Sequence, residues 1–207
     1  EIIPRRHSAQ VFRMLEELLP GGGLVERGID GVAFGCGPGS FTGLRIAASL
    51  AQGLAESSGL PAIPVSTLGV MAQTALREEL TRGTDTVLVT LDARIDEVYA
   101  GLYRYQDGLA TAVMPPWVCA PRHLEVAEAG ELQVVGSGCR YREHFPPALL
   151  AAAREWHEQV LPRALDMIPL ARRALDEGSA VPAEAVVPLY VQEEITWKKL
   201  GEQGKAG

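Results

Sequence analysis

Apolar residues recur at two periods along this chain, and the switches between them outline a mixed α/β protein. Val11, Leu15 and Leu18 share one face of a helix over Ser8 to Leu19, which Pro20 and Gly21 to Gly23 close. Phe12, Met14 and Leu19 widen that face beyond what a single core contact uses. Asp30 to Phe34 (DGVAF) reads as a short strand. It runs into GCGPGS, Gly35 to Ser40, after which Leu44, Ala47, Ala48, Ala51, Leu54 and Ala55 return at helical spacing. Leu60 to Val65 is a further strand and Thr67 to Leu80 a helix ending before Gly83. A β-branched run over Thr86 to Leu91 and an alternating run over Glu97 to Tyr105 then flank a hairpin turn at Asp92 to Asp96. Thr111 to Cys119 continues that sheet, Arg122 to Ala129 reads as a short helix, and Leu132 to Val135 as a strand. Pro147 to Glu155 and Leu165 to Glu177 are the last helical patterns, with Gly178 ending the second.

Strand, glycine turn and helix together form the geometry that presents a helix N-terminus to an anion. The loop departs from the nucleotide motifs residue by residue. A Walker A loop needs a lysine at the terminal phosphates, and no lysine precedes Lys198. A dinucleotide fingerprint needs a third glycine where Ser40 or Thr42 stands, and Pro38 breaks a nucleophile elbow around Ser40. Two readings stay open on local grounds. Either Gly37, Gly39, Ser40 and Thr42 keep a vestigial anion site, or the glycines turn the chain and Ser40 caps the helix.

Composition narrows the function. A net charge of −7 over 207 residues and a pI near 5.2 argue against a free-standing nucleic-acid binder, which needs clustered Lys and Arg. Cys36, Cys119 and Cys139 have no C-x-x-C spacing and read as reduced, buried residues of a cytoplasmic protein. No apolar run is long enough for a signal peptide or a membrane span. His7, beside Arg5 and Arg6, and His123, His144 and His157 lack ligand spacing, so no metal is expected. Asp92, Asp96 and Glu97 fit either an acid/base or magnesium role or, as is usual for carboxylates in a turn, solvation, with Arg94 as a partner for one of them. Gly136-Ser137-Gly138 after the Leu132 strand is an ordinary loop signal.

Four segments in order carry a resemblance. GPGSFTGLRIA in the glycine loop, RRHSAQVFRMLEELL, LDARIDEVYAGLY and PLYVQEEITWKKL together resemble the TsaB (YeaZ) family of tRNA threonylcarbamoyladenosine biosynthesis proteins. The likeness runs along nearly the whole chain. It implies an α/β fold of two small actin-like ATPase (ribonuclease H-like) domains, residues 1–84 and 85–187, followed by a tail over 188–207. Family members open with further strands, so the first sheet is expected to lack its N-terminal strands in this chain.

The resemblance further implies a non-catalytic scaffold that binds and stabilises a TsaD-like catalytic subunit, with a TsaE-like ATPase joining and tRNA met only through the complex. Metal-binding paralogs carry H-x-x-x-H on the helix after the second strand, where Thr67 and Met71 stand here. In place of the phosphate-gripping D-x-G-[ST] hairpin this chain has Asp92, Ala93, Arg94 and Ile95. No catalytic residues and no dedicated cofactor are therefore expected, with weak ATP or ADP binding at the complex interface as a lesser possibility. The expected partner-binding residues are Val11, Phe12, Leu15, Leu19, Gly43, Ile46, Ala47, Leu50 and Ala51, and without its partner the same patch would make a homodimer. The tail, with Trp197, Lys198 and Lys199, is a mobile basic end or a docking element. The alternative class is an active ATPase or a metallopeptidase of the same superfamily branch.

Overall fold

The computed structural model describes residues 7–21, 23–126 and 130–191, with side chains from residue 10 onward. Arg5, Arg6, the end of the Arg122 to Ala129 segment and the tail at Trp197 to Lys199 lie outside the described residues, as do the side chains of His7 and Ser8.

Helix α1 covers His7–Leu18. Strand β1 (Val32–Gly37) leads through the glycine loop into α2 (Phe41–Ser58), and β2 (Ala62–Ser66) returns parallel to β1, with Val32 opposite Ala62. Leu44, Ala48, Ala51 and Ala55 are the buried residues of α2, spaced to face the sheet, and the alanines let the helix lie close to it. Gly59, at φ 66°, ends the helix by donating its N–H to the Ala55 carbonyl.

Helix α3 (Thr67–Arg77) is buried without interruption from Leu68 to Ala75. A helix apolar on every side is enclosed, and α3 is indeed packed within one core against residues of both sheets. Next come β3 (Thr86–Arg94), β4 (Glu97–Gln106), β5 (Leu109–Ala112) and β6 (Trp117–Cys119). After these follow β7 (Leu132–Val135), α4 (Pro147–Ala152), β8 (Ala153–His157) and α5 (Ala164–Asp176). The second sheet has the order β5-β4-β3-β7-β8, with β6 also on β4. β3 is antiparallel to β4 and parallel to β7.

Alternation along β3 divides the interior. Val87 and Val89 join the cluster with Val65, Leu68, Met71 and Leu170, whereas Leu88 points to Val98, Leu102, Leu124, Val134 and Phe145 on the opposite face. The first of these clusters unites residues of β2, α3, β3, β4 and α5. A division at residues 84 and 85 thus separates the two sheets but not their core, and α5 packs back on α3 and β2.

Two sequence expectations change. Among the described residues of the Arg122 to Ala129 segment there is a 3-10 turn, Pro121–His123, and no α-helix, with Leu124 buried beneath. Pro147 to Glu155 is not one helix, because α4 gives way to β8, whose Trp156 and His157 pair with Val134 and Val135 of β7. In α5, Leu165 and Ile168 are exposed, while Asp166, Leu170 and Ala171 are the residues turned inward.

Candidate functional site

Ser40 is the N-cap of α2, its Oγ accepting the Gly43 N–H at 3.4 Å. A lone pair of that hydroxyl caps the helix. Gly37 stands at φ 125°, a conformation L side chains rarely adopt, and a Cβ there would come within 2.7 Å of the Leu189 carbonyl oxygen. Gly39 lies in open space. Thr42 lines a groove on the outer side of α2. Of the four residues expected at an anion site, Gly37, Gly39 and Ser40 are at the loop and Thr42 borders the groove.

That groove, about 750 Å³, lies between α1 and α2. Val11 and Phe12 form one wall, and Phe41, Ile46, Leu50 and Leu54 are the apolar part of the other. Phe12 is 71% exposed and Leu18 73%, so α1 carries apolar area that the described residues leave uncovered. Leu15 and Leu19 line a smaller cavity, about 330 Å³, with Leu24 and Leu54 beyond the end of the groove. Among the expected partner-binding residues, Val11, Phe12, Ile46 and Leu50 meet in the groove, Leu15 and Leu19 extend it, and Gly43 and Ala47 are half-buried beside it. Ala51 is a correction. It is 2% exposed against Phe34 and Ala62, because its position on α2 falls in the stripe that faces the sheet.

Sequence reasoning missed Phe41 and Arg45. The Arg45 guanidinium sits 3.8 Å from the Phe41 ring centroid, and both residues line the groove. Their spacing of one helical turn, repeated at Ser49, was the available signal.

The hairpin β3–β4 turns through Arg94, Ile95 and Asp96, all at positive φ, with Ile95 94% exposed. Asp92 is engaged inside the chain. Its carboxylate accepts from Arg140 Nη1 at 2.9 Å, Tyr141 Oη at 3.2 Å and the Arg94 backbone N–H at 3.0 Å. Its own N–H donates to Ser137 Oγ at 3.1 Å. The cation paired with this turn is therefore Arg140, not Arg94, because the 3-10 segment Ser137–His144 lies against β3. Gly136 and Gly138 allow that approach: a Cβ on Gly136 would meet the Thr90 carbonyl at 2.3 Å, and one on Gly138 the Thr90 Cβ at 2.6 Å. These glycines pack on the chain itself.

Thr67 opens α3, and Met71 is fully buried against Gly136. His157 Nε2 lies 3.2 Å from Glu155. Among the described residues no group of three or more His, Cys, Asp or Glu side chains gathers to hold a metal, and no helix is long and apolar enough to cross a membrane. Burial pushes the Cys36 and Cys139 thiols up to about 11.

Comparison with known proteins agrees with this architecture. The family model described as TsaD, tRNA N6-adenosine threonylcarbamoyltransferase, matches residues 1–154. The tRNA threonylcarbamoyladenosine biosynthesis protein TsaB of Escherichia coli K12 is 37% identical over 97% of this chain and 87% of its own length. Its counterpart in Haemophilus influenzae is 32% identical over 97% and 86%. Among solved structures, a Pseudomonas aeruginosa protein described as similar to peptidase YEAZ superposes with a TM-score of 0.81 at 36% identity, covering 93% of this chain and 87% of that one. A second structure, YeaZ from Pseudomonas aeruginosa, gives 0.78 at 34% identity, covering 92% and 87%. The sheets and helices described above fit the actin-like, ribonuclease H-like fold of these neighbours. With a matching family model over most of its length and relatives this similar along nearly all of it, the chain belongs to the TsaB (YeaZ) family of tRNA threonylcarbamoyladenosine biosynthesis proteins.

Proposed function

We propose that this chain is a non-catalytic subunit of the assembly that makes N6-threonylcarbamoyladenosine in tRNA, and that the groove between α1 and α2 docks a TsaD-like catalytic subunit. The observation that carries the reading is the groove itself: about 750 Å³, walled largely by apolar side chains from two helices. An amphipathic helix seats its apolar anchors in such a surface. Because a TsaD model matches this chain, a TsaD-like partner has a corresponding pair of helices to offer, and the two would meet about a pseudo-twofold axis. A second copy of this chain fills the same place when the partner is absent, giving a homodimer.

The chemistry belongs to the partner in this reading. The loop has no lysine, the Asp92 carboxylate is held by Arg140 and Tyr141, and Met71 is core. A TsaE-like ATPase joins the same cytoplasmic assembly, and tRNA is met through the complex, since a chain of net charge −7 is a poor phosphate-binding surface by itself. Residues 1–84 and 85–187 act as the two actin-like halves.

Co-purification with the TsaD-like protein of the same organism, followed by mass measurement, tests the proposal. Ile46→Glu places a carboxylate in the dry centre of the contact, where an unpaired charge costs on the order of 3 kcal/mol or more, so binding should fall by over a hundredfold. An unchanged complex with Ile46→Glu overturns the reading.

A further inference from the structure

The glycine loop has an occupant, and it comes from the far end of the chain. After α5, the backbone is tied back to the first sheet in three places. Val181 exchanges both backbone hydrogen bonds with Ala62, at 2.8 and 2.9 Å. Val186 is buried with Phe34 and the alanines of α2. Leu189 then donates its N–H to the Cys36 carbonyl at 2.7 Å.

That last bond has a local cause. The register of β1 on β2 jumps from Gly35 opposite Val65 to Gly37 opposite Ser66, so Cys36 is the extra residue of a bulge. A bulged residue drops out of the ladder and leaves its carbonyl in need of a donor. Leu189 supplies one, and its own carbonyl oxygen comes so close to Gly37 that a side chain there would collide with it at 2.7 Å. The next residue, Tyr190, lays its ring beside Phe41, with centroids 5.9 Å apart, and accepts from Arg45 Nε at 3.2 Å. The space left among Pro38, Gly39, Phe41, Tyr99 and this segment is about 100 Å³, well short of the few hundred that a small-molecule site encloses.

We infer that residues 188–191 form a strap that closes the glycine loop as its built-in ligand, latched by Tyr190 on Phe41 and Arg45. The strap excludes a nucleotide from the loop while it is in place. Phe41 and Arg45 are also wall residues of the α1–α2 groove, so whatever fills the groove bears on the same latch; this coupling alone rests on the docking reading above.

Amide hydrogen exchange on the full chain without any partner tests the strap directly, and so fails independently of the docking proposal. The reporters are the Leu189 amide and the loop amides over residues 36–44, with the β3–β4 amides as an internal control for folding. Tyr190→Ala and Arg45→Met should each speed exchange at Leu189 and the loop by about tenfold, the size of effect expected when the Arg45–Tyr190 hydrogen bond is lost together with a contact on the Phe41 ring, and leave β3–β4 unchanged. Tyr190→Phe, which keeps the ring and loses the hydroxyl, should fall between them and the native chain. Unchanged exchange at Leu189 in Tyr190→Ala, or equal acceleration across the whole protein, overturns the strap.

Discussion

Asp166 is the most consequential buried charge in the described structure, and breaking its bonds from either end should give unequal results. The residue is 3% exposed on α5. It accepts from Thr74 Oγ1 at 2.8 Å, and from Arg77 Nε at 2.6 Å and Nη2 at 3.0 Å. Arg77 itself is 42% exposed and reaches Glu78 at 3.1 Å. In Asp166→Asn the guanidinium can turn to water or Glu78, so the cost is that of weakened hydrogen bonds, about 1–3 kcal/mol. In Arg77→Met the carboxylate stays buried with only Thr74, and an uncompensated buried charge costs about 3–5 kcal/mol.

The pH dependence separates the two variants further. Burial alone would raise the Asp166 carboxyl, but the bonds from Arg77 and Thr74 outweigh it and hold the group below the ordinary 3.8. A folded value below the unfolded one means that the contribution is fully present above the unfolded value and is lost as pH falls through the folded one. Urea unfolding from pH 7 down to pH 3 should therefore show the native chain losing its advantage over Asp166→Asn in acid. Arg77→Met should recover relative to the native chain as its carboxyl protonates. At neutral pH it should melt on the order of 10 °C lower. Equal losses in the two variants at pH 7, or a gap that stays constant with pH, would refute the reasoning.

Other positions give simpler tests. Ile95→Asn should raise the melting temperature by about 2–4 °C, since a β-branched residue at φ 54° and 94% exposure is strained without compensating burial; no gain in a thermal scan would show that the turn is not strained. Gly138→Ala should destabilise by about 2–4 kcal/mol in denaturant, because its Cβ would stand 2.6 Å from Thr90 Cβ in a close-packed interior. With their thiols pushed up to about 11, Cys36 and Cys139 should react with a thiol reagent at pH 8 roughly a hundredfold more slowly than exposed cysteines, and unfolding should remove the difference.

Much of this architecture is written in local pattern. The period of two in β3 places Val87 and Leu88 on opposite faces, and the Ser40 and Gly59 positions bound α2 closely. Ile46 and Leu50 could be assigned to an outer face because they fall off the stripe that includes Leu44, Ala48 and Ala55. Ala51 was misplaced for a related reason: alanine fits a tight sheet contact as well as a helix–helix contact, and only the rotation of α2 against β1 chooses. High helix propensity over Ala151 to Arg154 favours helix, and pairing with β7 overrides it to make strand β8.

Local pattern carries most of the element order, with β8 the exception, along with the capped turn into α2, the absence of a loop lysine and the family resemblance, since each depends on residues close together along the chain or on their match to a motif. What those pieces meet is set by the folded arrangement. Asp92 with Arg140, Asp166 with Arg77, Cys36 with Leu189 and Arg45 with Tyr190 join positions far apart in the sequence. No periodicity encodes such pairs; they follow from how the sheets stack on α3 and from where the chain returns after α5. The glycine loop shows the difference most plainly. Its sequence poses the question of an anion, and the folded chain places its own backbone there.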